Sequence, residues 1–332
     1  MEQRLLGASG IAVSPVGMGC MGITHASGAP MPPEEGVQVI RAAYDMGYTF
    51  FDTAECYTGL YPDGSVAYNE TVVGEALRPV RDCVVIATKC GVQHGKDRSL
   101  LLDSRPETIR ASLEGSLRRL GTDYVDLYYQ HRIDPAVPPE AVADTMAGLI
   151  REGKIRAWGI SEANEDYLRR AHAVCPVAAV QNRYSMMARQ HEALFPVLEE
   201  LNVGFVAFSP MANGLLTARY GKDDKFDPKL DYRSAMPQFT PEAAEVNREL
   251  LQTLRNLAEE KHATPAQISL SWMLCKKPYI VPIPGSRKEE RMRENAGAAE
   301  VVLSPAEVAT LDRILETIPM SAVFGGTAVK SR

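Results

Sequence analysis

Asp52, Tyr57, Lys89 and His131 each stand at or just past the end of an apolar run: TFFD leading into TAECY, then VVIATK, then VDLYYQH. Such runs read as buried β-strands, so three successive strands deliver four proton-handling side chains to one end of a sheet. A tyrosine hydroxyl titrates near pH ~10 and serves as a proton donor near neutrality only when something lowers that value. A neighbouring ammonium group can do so, and a carboxylate keeps the ammonium charged. Lys89, directly after VVIAT, would be drawn unpaired into low dielectric without such a partner, and Asp52 is the natural one. His131 follows an equally apolar strand and can donate a hydrogen bond to a carbonyl oxygen. Taken singly, the aspartate reads equally well as a helix cap and the tyrosine as packing. Four together at corresponding strand ends point to a catalytic site that handles protons.

The elements that must position these side chains alternate along the chain. Residues 34–47 carry apolar positions at helical spacing and stop at Gly47, and YTFFDT (48–53) reads as a short buried strand. Helix 69–78, strand 82–89, helix 106–120 opening at Pro106, strand 124–130, helix 139–153 and strand 154–161 come next. Helix 164–173, strand 177–181, helix 190–201 and strand 203–209 follow. Residues 213–240 are polar and read as an extended loop; helices 242–261 and 265–276, strand 279–283, helix 287–299 and a last helix 304–317 come after it. With VGMGC (16–20) as the first, eight strands result, several apolar on both faces as helix-covered parallel strands must be. Eight such units without a linker predict one domain across 1–332, an α/β fold closed as a (β/α)8 TIM barrel over about residues 15–300. RLLGASGIAVS (4–14) reads as an N-terminal β-hairpin turning at Gly7–Gly10 across the barrel bottom, and a C-terminal helix and tail end the chain.

Two further motifs have chemical content. Gly17, Gly19 and Gly22 spell GxGxxG, but THASGAPMPP intervenes before any helix, so no helix N-terminus is offered to a pyrophosphate as a doubly wound sheet requires. The glycines read better as easing a tight strand end, Gly19 and Cys20, beside a ligand. Ser286, Arg287, Lys288 and Arg291 open a helix after the last strand, where a helix N-terminus and guanidinium groups suit a phosphate; a solvated basic face fits the residues equally well.

Composition narrows the function classes. A net charge of −6 gives no footprint for nucleic acid or an acidic membrane, and no apolar run approaches the ~20 residues of a membrane span. The chain opens without a secretory pattern, and its six scattered cysteines suit a reducing compartment, so a cytoplasmic location is expected. Cys20, Cys56 and Cys90 lack the spacing of a zinc module and no metal is expected; Lys89 could make Cys56 or Cys90 partly thiolate.

FDTAECY, VVIATK and YYQH resemble the tetrad motifs of the aldo-keto reductases, and GKIRAWGISEAN, VQNRYS, VAFSPMANGLLT and IPGSRKEERMREN match in the family's order, from about residue 4 to about 318. The set is most similar to the branch of bacterial aldo-keto reductases and plant perakine-reductase-like enzymes. The resemblance implies a (β/α)8 barrel that uses NADPH to reduce a small-molecule aldehyde or ketone. It implies Tyr57 as general acid, Lys89 as the group that lowers its pKa, Asp52 as anchor of the lysine, and His131 as the group that orients the carbonyl. Ser161 and Gln181 fall where the family bonds the nicotinamide carboxamide, Phe208 where it stacks on the ring, and Ser209, Met211, Asn213 and Leu215 on the loop along the pyrophosphate. Ser286, Arg287 and Arg291 correspond to the 2′-phosphate site, and Glu294 and Asn295 to adenine contacts. The chain departs from the family at Glu162, commonly Asn, and at Phe208, often Tyr.

Two other functions stay open at this level. A cofactor-binding regulatory or redox-sensing subunit, as in potassium-channel auxiliary proteins of this fold, would bind NADPH with slow turnover. A metal-dependent barrel enzyme would need carboxylate-rich strand ends that the chain lacks. The substrate pocket is expected to draw on His25, Tyr61, His94, Arg132, the 213–240 loop and the tail after 318, with Arg132 compatible with polar or anionic carbonyls. Nothing separates a monomer from a homo-oligomer.

Overall fold

Apolar segments long enough for strands but too short for helices recur eight times, and each becomes a strand of one parallel sheet. The structure, a computed structural model, describes residues 2–95 and 99–325, with the backbone of 329–330. The strands are β1 (Met18–Gly19), β2 (Phe50–Asp52), β3 (Val85–Cys90), β4 (Val125–Gln130), β5 (Ile155–Ser161), β6 (Ala179–Arg183), β7 (Gly204–Phe208) and β8 (Ile280–Pro282). They neighbour one another in chain order, all parallel. Gly17 N donates to Pro282 O at 2.9 Å and Gly19 N to Pro284 O at 3.3 Å, so the first strand also meets the last and the barrel closes. A Cβ on Gly19 would sit 2.7 Å from Ile283 O, and one on Gly285 would sit 2.7 Å from Gly19 O. Only glycine lets the backbones meet there. The GxG pattern is thus the barrel seam; it leads into a single 3-10 turn at Met21–Ile23, and among the described residues no α-helix starts before Pro33.

Helices α1 (Pro33–Asp45), α2 (Asn69–Leu77), α3 (Pro106–Leu120), α4 (Pro139–Arg151), α5 (Glu165–Val174) and α6 (Phe195–Leu201) cover the sheet between successive strands. Between β7 and β8 run α7 (Pro241–Val246), α8 (Arg248–Glu260) and α9 (Pro265–Lys276); α10 (Glu289–Gly297) and α11 (Pro305–Thr317) follow β8. None among the described residues is long and apolar enough to cross a membrane. The opening hairpin, Arg4–Leu5 with Ala12–Val13, caps the barrel bottom as expected. Its Leu6 and Val13 are fully buried with Phe50, Leu127, Val206 and Val281, and Arg4 donates to the carbonyls of Leu274, Lys277 and Ile280.

Some element boundaries differ from the sequence reading, each for a local reason. The expected helix 190–201 begins as α-helix only at Phe195, because Pro196 has no N–H to extend a helix upstream. Strand 177–181 lies two residues later, since Asn182 is buried with its amide bonded to both Ala163 N and Ala163 O. Helix 242–261 breaks at Asn247, whose side chain is engaged with Ser321 at 2.9 Å in both directions and pins the C-terminal tail. The 213–240 loop contains short 3-10 turns, and Asp231 bridges to Ser27 across the barrel mouth. Two hairpins at that mouth had no clear sequence signal: Thr58–Leu60 with Val66–Tyr68, and Val92–His94 with Leu100–Leu102. Val329–Lys330 pairs alongside the latter.

Candidate active site

Asp52 closes β2, Lys89 is the penultimate residue of β3 and His131 follows β4, so parallel pairing brings all three to the same barrel end. Lys89 is fully buried, and its ammonium has three hydrogens to place. They go to Asp52 Oδ1 at 2.5 Å, Thr53 O at 2.7 Å and Tyr57 Oη at 3.3 Å. The other Asp52 oxygen accepts from Gln181 Nε2 at 2.7 Å. Because the lysine can only donate, Tyr57 is an acceptor toward it, and the phenol's own hydrogen is free for another partner.

The electrostatics refine the expectation from sequence. Burial pushes the Tyr57 phenol upward from its ordinary value, and Lys89 pulls against that shift without reversing it. The phenol is therefore protonated at neutral pH, as a proton donor must be before it acts. Burial works against the Lys89 ammonium, yet Asp52 and Tyr57 outweigh it and hold the proton more firmly than in water. Burial likewise raises the Asp52 carboxyl, opposed by Lys89 and Gln181.

His131 is buried, and burial followed by the charges of Arg132 and Lys89 drives its imidazolium well below the usual range. It is neutral, so its tautomer matters. Cys56 Sγ lies 3.5 Å from His131 Nδ1. Burial pushes the Cys56 thiol up to about 12, and Cys90 is raised as well, which overturns the expectation that Lys89 makes either a thiolate. A thiol that keeps its hydrogen is able to donate to Nδ1, an arrangement that places the imidazole hydrogen on Nε2. The His131 and Tyr57 rings meet edge to face with centroids 5.8 Å apart.

The segment carrying Tyr57 is fastened by residues the sequence reading did not single out. Asn69, at the start of α2, donates its N–H to Tyr57 O and its side-chain amide to Cys20 O and Thr24 Oγ1, and accepts from Thr53 Oγ1 at 2.6 Å. Thr24 Oγ1 donates to Tyr57 O. On the far side, Glu55 N donates to Lys89 O and Glu55 Oε1 accepts from Gly91 N, clamping the segment to the end of β3. Strand-end periodicity carries no trace of these long-range bonds.

A cavity of about 520 Å³ runs from this cluster across the barrel mouth to α10. Gly19, Ser161, Gln181, Phe208, Ser209, Met211 and Asn213 line its length, and Ser286, Arg287, Arg291, Glu294 and Asn295 its far end. Cys20 and Leu215 do not line it: both side chains are packed in the core, Cys20 beside Met18 O and Leu215 among apolar neighbours. Ser161 Oγ accepts from Arg132, and Glu162 turns toward β6, where its carboxylate accepts from Arg183 N at 3.2 Å. His25, His94, Arg132 and Phe324 of the tail line the cavity, but Tyr61 does not.

The residues present suit a phosphorylated dinucleotide. Ser209, Ala212, Asn213 and Ala218 have positive φ, as has Gly214. Such conformations are strained outside glycine, and here they wind the loop tightly along the cavity, with Ala212 N donating to Ser209 O and Gly214 N to Met211 O. At the far end Arg287 Nε donates to Gly22 O, while its Nη2 is buried without a protein partner. An orphaned guanidinium hydrogen donor calls for an acceptor. Glu294 is less free than expected, because it bonds Arg219 at 2.9 Å and lies 3.5 Å from Arg291.

Comparison with known proteins agrees with this geometry. The model of the Aldo/keto reductase family matches residues 15–316. A probable aldo-keto reductase of Glycine max is 38% identical over 323 residues, covering 97% of this chain and 90% of the relative. A glycerol dehydrogenase from Gluconobacter oxydans superposes with a TM-score of 0.83 at 28% identity, over 98% of both chains. An aldo/keto reductase from Klebsiella pneumoniae, solved with NADP and acetate, gives 0.71 at 27% identity, over 95% of this chain and 96% of the other.

Proposed function

Since the chain belongs to the aldo/keto reductase family, we propose that it is an NADPH-dependent reductase of aldehydes or ketones in which Tyr57 is the general acid. A bound nicotinamide supplies the hydride that the carbonyl carbon receives. The protein supplies the rest. Tyr57 Oη and His131 Nε2 are the two hydrogen donors for the carbonyl oxygen, which gathers negative charge as the bond order falls. Tyr57 gives up its proton there, and the phenolate left behind is stabilised by the Lys89 ammonium already hydrogen-bonded to it. Asp52 and Thr53 O keep that ammonium fixed and charged.

The single observation that carries this reading is the division of the three Lys89 hydrogens, which leaves the Tyr57 proton unclaimed. The NADPH preference is supported by the orphaned Arg287 nitrogen beside Ser286 and Arg291, and by the relative solved with NADP. Cofactor roles for Ser161, Phe208 and the loop residues Ser209, Met211 and Asn213 are supported by their positions along the cavity.

The test is NADPH oxidation against a panel of aldehydes and ketones with wild type and Tyr57→Phe. The variant should bind NADPH normally by fluorescence titration and lose turnover by about 10²–10⁴-fold. Near-normal turnover in the variant would remove Tyr57 from the mechanism. Tight NADPH binding by the wild type, with oxidation limited to a single turnover on every carbonyl, would favour a binding or sensing subunit instead.

A further inference from the structure

Arg132, next to His131 in the chain, and Arg183 both line the cavity, and among the described residues neither forms an ion pair. Their guanidinium carbons lie 5.8 Å and 5.3 Å from the Phe208 ring centroid. Arg132 spends one nitrogen on His131 O at 2.6 Å and Ser161 Oγ at 3.0 Å, and Arg183 makes no side-chain hydrogen bond among the described residues. Both are half-buried. Two like charges held together at a partly dehydrated wall are costly unless an anion joins them. The acidic group that acts on Arg183, Glu162, has one carboxylate oxygen on Arg183's own backbone N–H. Asp52 is already engaged by Lys89 and Gln181. Two guanidinium groups against the Glu162 carboxylate leave one positive charge, which matches a monoanion.

We propose that Arg132 and Arg183 form an anion subsite that selects carbonyl substrates bearing a carboxylate. The proposal rests on the reductase reading and deepens it to a substrate class. A carboxylate matches the planar guanidinium fork, whereas a doubly charged phosphate ester would overbalance the site. The same cavity is lined by Leu100, Met236 and Phe324, which offer apolar surface to a carbon skeleton.

The experiment compares benzaldehyde with 3- and 4-carboxybenzaldehyde as substrates for wild type, Arg183→Gln, Arg132→Gln and Arg183→Lys, with NADPH affinity and thermal unfolding measured in parallel. Wild type should favour at least one carboxylated aldehyde by about tenfold or more in kcat/KM, expressed in KM. In each glutamine variant the loss on that aldehyde should exceed the loss on benzaldehyde by about tenfold, and Arg183→Lys should keep part of the preference. Equal kcat/KM for the three aldehydes in wild type, or a preference that survives both glutamine variants, overturns the proposal. So does a fall in NADPH affinity that matches the loss in kcat/KM, because the arginines then serve the dinucleotide. If benzaldehyde itself is not reduced, the reductase reading fails, and calorimetric titration of benzoate decides the subsite alone. Benzoate binding that weakens in Arg183→Gln supports it, and unchanged or absent binding overturns it. A glutamine variant that does not fold is replaced by Arg183→Lys, read in the same two assays.

Discussion

Cys56 Sγ stands 3.5 Å from His131 Nδ1, within reach of a hydrogen bond that would favour the imidazole hydrogen on Nε2 when the thiol donates. The thiol keeps its proton through burial and the imidazole stays neutral for the same reason, so the thiol has a hydrogen to donate to Nδ1 when the imidazole carries its own on Nε2. Cys56→Val removes that donor while keeping an apolar wall. Turnover should fall by about three- to tenfold with NADPH affinity unchanged, and Cys56→Ser should retain more of it than the valine variant. Identical kcat for the two variants would show that the tautomer is set elsewhere.

Lys89 and Asp52 are also a folding unit. Lys89→Met leaves the Asp52 carboxyl buried with Gln181 alone, at an expected cost of about 3–5 kcal/mol in urea denaturation. Adding Asp52→Asn should recover part of that loss while activity stays abolished. A double variant less stable than Lys89→Met would contradict the pairing.

Arg287 should separate the two nicotinamide cofactors. Arg287→Ala is expected to weaken NADPH by about tenfold or more, the worth of a charge-assisted hydrogen bond, while NADH affinity changes by about twofold at most. Equal losses for both cofactors would place Arg287 outside the 2′-phosphate contact.

Glu55, behind the Tyr57 segment, has its carboxyl pushed up to about 7, from 4.5, by burial. Between these values the folded protein holds a proton that the unfolded chain has released, so stability falls as pH rises through the window. Glu55→Gln should resemble wild type near pH 4.5 and exceed it by about 1–3 kcal/mol at pH 8. A stability difference that does not change with pH would refute the shift.

Strand ends were the legible part of this molecule. Asp52, Lys89 and His131 could be read because each follows a run apolar enough to be buried, and the eight runs in order imply the barrel. Position in a motif says less about facing. Cys20 and Leu215 were expected beside the cofactor, yet their side chains turn into the core. Arg183 escaped notice because strand β6 was read as ending at Gln181, before it reached the cavity. Asn69 and Glu55 act on Tyr57 through bonds to segments that only folding brings near, such as Cys20 and Gly91. The rise in the Tyr57 pKa reflects crowding by many neighbours, and no local window of sequence contains them.

Gly19 and Gly285 let the two ends of the sheet touch where no side chain could fit, and both border the cavity floor. A dinucleotide bound in that groove, as proposed above, would rest across the joint and act as a clasp on the ring of strands. Occupancy should therefore slow hydrogen exchange at Gly17 and Gly19, in the seam itself, as well as at the other residues that line the groove.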